Sequence, residues 1–149
     1  MQEEINCARE ELKRVDHLIY VSLKYTRTVD VLKNVIERLM NSFGHMLKAV
    51  LVVAMEKKEI DKVPDAPVEM ATKAKELYTE DKNVQEIVDF YILLRKIMKA
   101  EYESENEYRR YVRMKANVEG RVIDVEIDSV TEYYKKAQDY VLYIEENFK

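Results

Sequence analysis

The stretch VRMKANVEGRVIDVEI, residues 112–127, alternates with a period of two, and its register can be read directly. Val112, Met114 and Ala116 alternate with Arg113 and Lys115; beyond Glu119-Gly120, Ile123, Val125 and Ile127 alternate with Asp124 and Glu126. Folding the chain so that Val118 faces Arg121 pairs Ala116 with Ile123, Met114 with Val125 and Val112 with Ile127 on one face. On the other face Lys115 meets Asp124 and Arg113 meets Glu126. A slip of one residue sets charges against apolar groups at every position. Each matched pair contributes about 0.2–1 kcal/mol, so agreement on both faces specifies a β-hairpin near 111–128. Loops of two or four residues keep the same pairing. Glu suits the first position of a tight turn poorly, which leaves the loop type open.

Outside this ribbon the periodicity is helical. Residues 3–41 contain neither Gly nor Pro, and Ile5, Ala8, Leu12, Val15 and Ile19 step by three and four along one stripe. Leu32, Ile36, Leu39, Met40 and Phe43 continue it. One helix over 3–41 would be nearly 60 Å long and overhang a domain of this size. The segment therefore bends near the β-branched Thr26–Thr28 or projects toward a partner; a long helix, continuous or kinked, is favoured. Asn41-Ser42-Phe43-Gly44 offers a stop, with Gly44 as a left-handed cap, and a second helix follows over about 45–58. Pro64-Asp65-Ala66-Pro67 marks a loop, with Pro67 opening a helix over 67–79. Asn83 and Glu86 resemble a capping box for a helix over 84–104, whose two apolar stripes suggest the centre of the bundle. Ser129 and Glu132 resemble another, starting the C-terminal helix. The expected fold is mainly α: a single domain over 1–149, a bundle of about five helices with one β-hairpin before the last.

Composition excludes several classes. Two Gly and two Pro are too few for a sandwich or barrel, and the Gly-rich turn of a nucleotide-binding α/β fold is missing. A net charge of −4 argues against a wholly cationic surface for nucleic acid or anionic lipid, while allowing a local basic patch. The lone Cys7 cannot form an internal disulfide, and no apolar run resembles a signal peptide or a membrane span. A cytoplasmic protein with no membrane association is expected. High Lys and Glu with few Gln points weakly to a thermophile.

Among chemistries, neither His17 nor His45 has a Glu three residues before it, so a carboxylate-bridged di-metal bundle is disfavoured, as is a zinc site. No metal or cofactor is implied. Asp124, Glu126 and Asp128 read as a solvated strand face beside Arg113 and Lys115, and Cys7 as a structural thiol. Tyr108, Arg109, Arg110, Tyr111, Arg113, Lys115 and Arg121 form the most basic, aromatic-interleaved stretch. With Arg113 and Lys115 neutralised across the hairpin, Arg109, Arg110 and Arg121 remain as candidate nucleic-acid contacts.

The succession of long helices, with Arg38-Leu-Met-Asn-Ser-Phe-Gly-His45, resembles the HEPN group of helical-bundle domains. That resemblance implies a typically dimeric domain, an RNase or a partner of minimal nucleotidyltransferases, marked by an Arg and a His a few residues apart. Six residues separate Arg38 and His45 here; Leu39 stands where a polar residue often follows the Arg, and the hairpin lies outside the pattern. By resemblance, Arg38 binds a phosphate, His45 assists attack of a ribose hydroxyl, and a dimer brings two such pairs together over RNA.

Two functions follow. The favoured one is non-catalytic: a homodimer, or docking on a helical protein partner, through the apolar stripe of the N-terminal helix. The alternative is a HEPN-like RNA-binding protein or metal-independent RNase using Arg38 and His45.

Overall fold

In the computed structural model, which describes residues 1–148, the N-terminal half is a helical hairpin and not one long rod. Helix α1 (residues 2–25) is α-helical over Gln2–His17, passes through a π-helical turn at Leu18–Ser22 and ends at Tyr25. Thr26 and Thr28 are extended, the conformation that suits β-branched residues, and the Thr28 hydroxyl accepts the Val31 N–H at 3.3 Å to open α2. Helix α2 (Val29–Glu56) returns antiparallel to α1: Glu4 reaches His45, Ser42 Oγ donates to the Ala8 carbonyl at 3.0 Å, and Glu11 reaches Arg38. Ile5, Ala8, Leu12, Val15 and Ile19 are all buried. The expected overhang is gone, because the stripe is covered within the chain.

The stop expected at Asn41–Gly44 does not occur. Buried Ser42, Phe43, Met46 and Leu47 carry α2 straight through it. A Gly inside a helix costs about 1 kcal/mol against Ala. At position 44 the missing side chain makes room for the Tyr91 ring, whose Cε1 lies 3.2 Å from where a Cβ would stand. So residues 45–58 are not a separate helix, and α2, not the 84–104 segment, is the central element.

Helix α3 (Pro67–Leu77) has Pro67 in its first turn, as expected. Helix α4 (Lys82–Lys99) is capped by Asp81, not Asn83: the Asp81 carboxylate accepts the Val84 N–H at 3.1 Å. It ends five residues earlier than the periodicity suggests. The chain becomes strand β1 (Glu101–Glu105), which pairs antiparallel with β2 (Arg113–Val118), itself paired with β3 (Arg121–Glu126). The β2–β3 register is the one read from the alternation, with Met114 opposite Val125, Ala116 opposite Ile123 and Lys115 opposite Asp124, but the expected Val112–Ile127 pair does not form, because Ile127 already opens the last helix. The loop is the two-residue form, with Glu119 at φ 53° and Gly120 at φ 82°, and Glu119 ion-pairs with Lys96 at 2.8 Å. Val112, Met114, Ala116 and Val125 are buried, and β2 packs on α2 and α4.

Helix α5 (Ile127–Asn147) follows without a loop; Ser129 is its third residue, its hydroxyl accepting the Glu126 N–H at 3.2 Å, so Glu126 and not Ser129 is the cap. It packs on α1 and α2. The core joins all five helices and the inner sheet face around Phe43, which stacks on Phe90 and meets Tyr140 edge-on. Among the described residues, no helix is long and apolar enough to cross a membrane.

Candidate functional site

The unbroken α2 determines the geometry of Arg38 and His45. Seven residues at 100° each return to within about 20° of the same face, about 10 Å along the axis. Asn41 and Lys48 stand on this stripe at the same three- and four-residue steps, so α2 carries Arg38, Asn41, His45 and Lys48 in a polar seam beside α1.

Each basic side chain of the seam meets a carboxylate of α1. Arg38 lies 3.4 Å from Glu11, which is also 3.5 Å from Arg14. His45 Nδ1 lies 2.9 Å from Glu4 Oε2, and Lys48 Nζ 3.4 Å from Glu4 Oε1. Burial pulls the Glu4 carboxyl upward, but the His45 hydrogen bond and the Lys48 ammonium outweigh it and hold it below the ordinary carboxylate range. Carboxylate to Nδ1 is the contact that orients an imidazole and leaves Nε2 as the proton acceptor.

His45 opens on a cleft of about 400 Å³ between α2, α4 and the stretch 64–67, with Asn41, Lys48, Tyr91 and Arg95 and the carboxylates of Glu11 and Asp65 around it. Gly44 lines the same cleft, so the residue that admits Tyr91 also keeps it open. Arg95 stacks 5.7 Å over the Tyr91 ring and, among the described residues, has no carboxylate within 4 Å. Arg38 does not line the cleft; it is coupled to its edge through Glu11. Lys48 and Arg95 are thus the cations that line the cleft with His45. Lys48 was visible three residues from His45 on one helix; nothing in the sequence links Arg95 to either.

The three arginines proposed for nucleic acid do not form one patch. Arg109 and Arg110 share the loop between β1 and β2 and are exposed. Arg121 begins β3 at the opposite end of the ribbon, about 16 Å away along the strand. Arg113 meets Glu126 at 2.8 Å as expected, but Lys115 meets Glu105 of β1 at 3.1 Å and not Asp124, which lies 3.9 Å from Arg113. Cys7 is half-buried and unpaired, and His17 is exposed. No group of three or more His, Cys, Asp and Glu side chains is placed to hold a metal ion among the described residues.

The ion pair between Arg9 and Glu145 ties α1 to α5 and sets an acid limit. The Arg9 hydrogen bond, ahead of the opposing effect of burial, holds the Glu145 carboxyl below its ordinary value of 4.5, as the partners of Glu4 do there. A depressed pKa contributes stability that is complete above the unfolded value and is lost as pH falls through the folded one. Thermal melts should therefore show Tm falling below about pH 4.5. Glu145→Gln should lower Tm at neutral pH and flatten that acid slope; an unchanged slope would refute the assignment.

No family model, curated protein or solved structure matches the chain.

Proposed function

We propose that the α2–α4 cleft binds an RNA phosphodiester and that His45 acts on it as a general base without a metal, in the manner implied by the resemblance to HEPN domains. The observation that carries this reading is the Glu4–His45 contact at 2.9 Å, which fixes the imidazole at a cleft supplied with Lys48 and Arg95. His45 Nε2 takes the proton of a ribose 2′-hydroxyl, the 2′-oxygen attacks the adjacent phosphorus, and the 5′-oxygen leaves with a proton from solvent. Lys48 and Arg95 balance the charge that gathers on the phosphoryl oxygens. Arg38 holds Glu11, and through it the edge of the cleft.

Structured RNA incubated with the protein and a chelator tests this. The expected products end in a 2′,3′-cyclic phosphate, and His45→Ala should slow their formation by about 10²–10⁴-fold. Arg38→Ala should slow it less, because Arg38 stands outside the cleft. Identical behaviour of wild type and both variants would eliminate the pair as catalytic groups.

A second reading, self-association without catalysis, no longer has the apolar stripe of α1 as its support, since α2 covers it. It draws instead on a groove of about 500 Å³ between α1 and α5, floored by Leu12 and Val141, with half-exposed Leu142 at its rim. Light scattering behind size exclusion distinguishes the two, since a monomer at micromolar concentration is incompatible with it.

A further inference from the structure

One end of the bundle gathers tyrosines and cations that the cleft does not use. The β1–β2 loop docks on the turn between α1 and α2: the Tyr108 N–H donates to the Arg27 carbonyl at 2.6 Å, and the Glu107 carboxylate accepts the Val29 N–H at the start of α2. Residues about 80 apart in sequence thereby share one surface. Tyr25, Tyr108 and Tyr111 are 79%, 78% and 66% exposed there, although tyrosine ordinarily hides most of its ring. Tyr108 is also held at φ 65°, a region in which a bulky side chain is strained. The loop is braced to keep it so, with Asn106 Nδ2 donating to the Tyr111 carbonyl and the Arg109 N–H to the Asn106 carbonyl.

The charge around these rings is positive. Lys24, Arg27, Arg109 and Arg110 belong to the same two segments, and none has a carboxylate within 4 Å among the described residues. Arg110 lies 5.6 Å from the Tyr111 ring centre. Of the acids at this end, Glu107 is turned onto the α2 backbone, Glu105 and Glu126 are engaged by Lys115 and Arg113, and Asp30 and Asp128 are exposed. A folded chain of net negative charge thus presents a compact cationic, aromatic end.

We infer that this end binds single-stranded nucleic acid, with bases stacking on Tyr25, Tyr108 and Tyr111 while Arg109, Arg110 and Lys24 contact phosphates. Exposed rings suit unpaired bases, whose faces are open, and not a duplex, whose faces are covered. The surface is separate from the His45 cleft and does not depend on the reading of that cleft.

Fluorescence anisotropy with a labelled oligothymidine of about ten deoxynucleotides, which lacks the 2′-hydroxyl that the cleft would act on, and a duplex of the same length, tests it. Wild type should prefer the single strand. Tyr25→Ala and Tyr108→Gly should each weaken binding about tenfold without changing its salt dependence, and Tyr108→Gly should not lower Tm, because glycine relieves the backbone. The Arg109→Ala/Arg110→Ala variant should flatten the log–log salt slope by about 1.4. Arg121→Ala, at the far end of the ribbon, should bind as wild type. The inference is overturned by absent binding at low salt, by equal affinity for duplex, by binding indifferent to the tyrosines, or by polyglutamate competing as well as the oligonucleotide. The last result would identify an acidic protein as the partner.

Discussion

Phe43→Ala should reduce the free energy of unfolding by about 3–5 kcal/mol, the range for removing a fully buried aromatic ring. Phe43 is wholly enclosed at the middle of α2, its ring centre 5.5 Å from that of Phe90 on α4 and 5.9 Å from that of Tyr140 on α5. Truncation loses the transfer energy of the ring and leaves a cavity among three helices, none of which can close it alone. Domains have about 5–15 kcal/mol in total, so the variant should be marginal at physiological temperature. Urea denaturation measures this as a fall in midpoint with an unchanged m-value. A loss below about 1 kcal/mol would mean that the three helices do not meet at this ring.

Val125→Asp should cost at least about 3 kcal/mol at neutral pH, while Val122→Asp, three residues before it, should change stability by less than about 0.5 kcal/mol. Val125 is fully buried opposite Met114; Val122 lies on the other face and is 65% exposed. Burial would raise the new carboxyl above its unfolded pKa. The deficit should be largest above the folded value and shrink as pH falls toward the unfolded one, where both states carry the proton. Equal effects of the two substitutions would show that the sheet has the wrong face inward.

The hairpin was legible because each face of it makes sense in only one register: charges pair outside, apolar groups pair inside, and a slip spoils both. Strand β1 lacked the second half of that signal. Glu101, Glu103 and Glu105 alternate with Tyr102 and Ser104, which offer no apolar face, and the strand is exposed along nearly its whole length. What identifies it is the ladder, which sets Glu103 opposite Lys115 and Glu105 opposite Arg113, so that the cations of β2 are flanked by acids on both sides. Gly44 misled for a different reason. A glycine after a helical run ends a helix when solvent surrounds it, and continues one when a neighbouring ring needs the space, and Tyr91 lies 47 positions away. Of the cleft, His45 alone was legible, with Arg38 beside it on the same face of α2. Glu4 and Arg95 join them only through the antiparallel return of α2 and the packing of α4, pairings that periodicity along one segment does not encode. Arg121 was grouped with Arg109 by closeness in sequence, yet an extended ribbon separates its two ends.

The glutamates of β1 bear on how the protein stays dispersed. An outermost strand carries unpaired N–H and C=O groups that another chain can extend. Here Glu101 and Glu103 are exposed on it, so two such borders approaching side by side bring like charges together. That fence is purely electrostatic, so high salt weakens it and opens the border to a fourth strand from a neighbour.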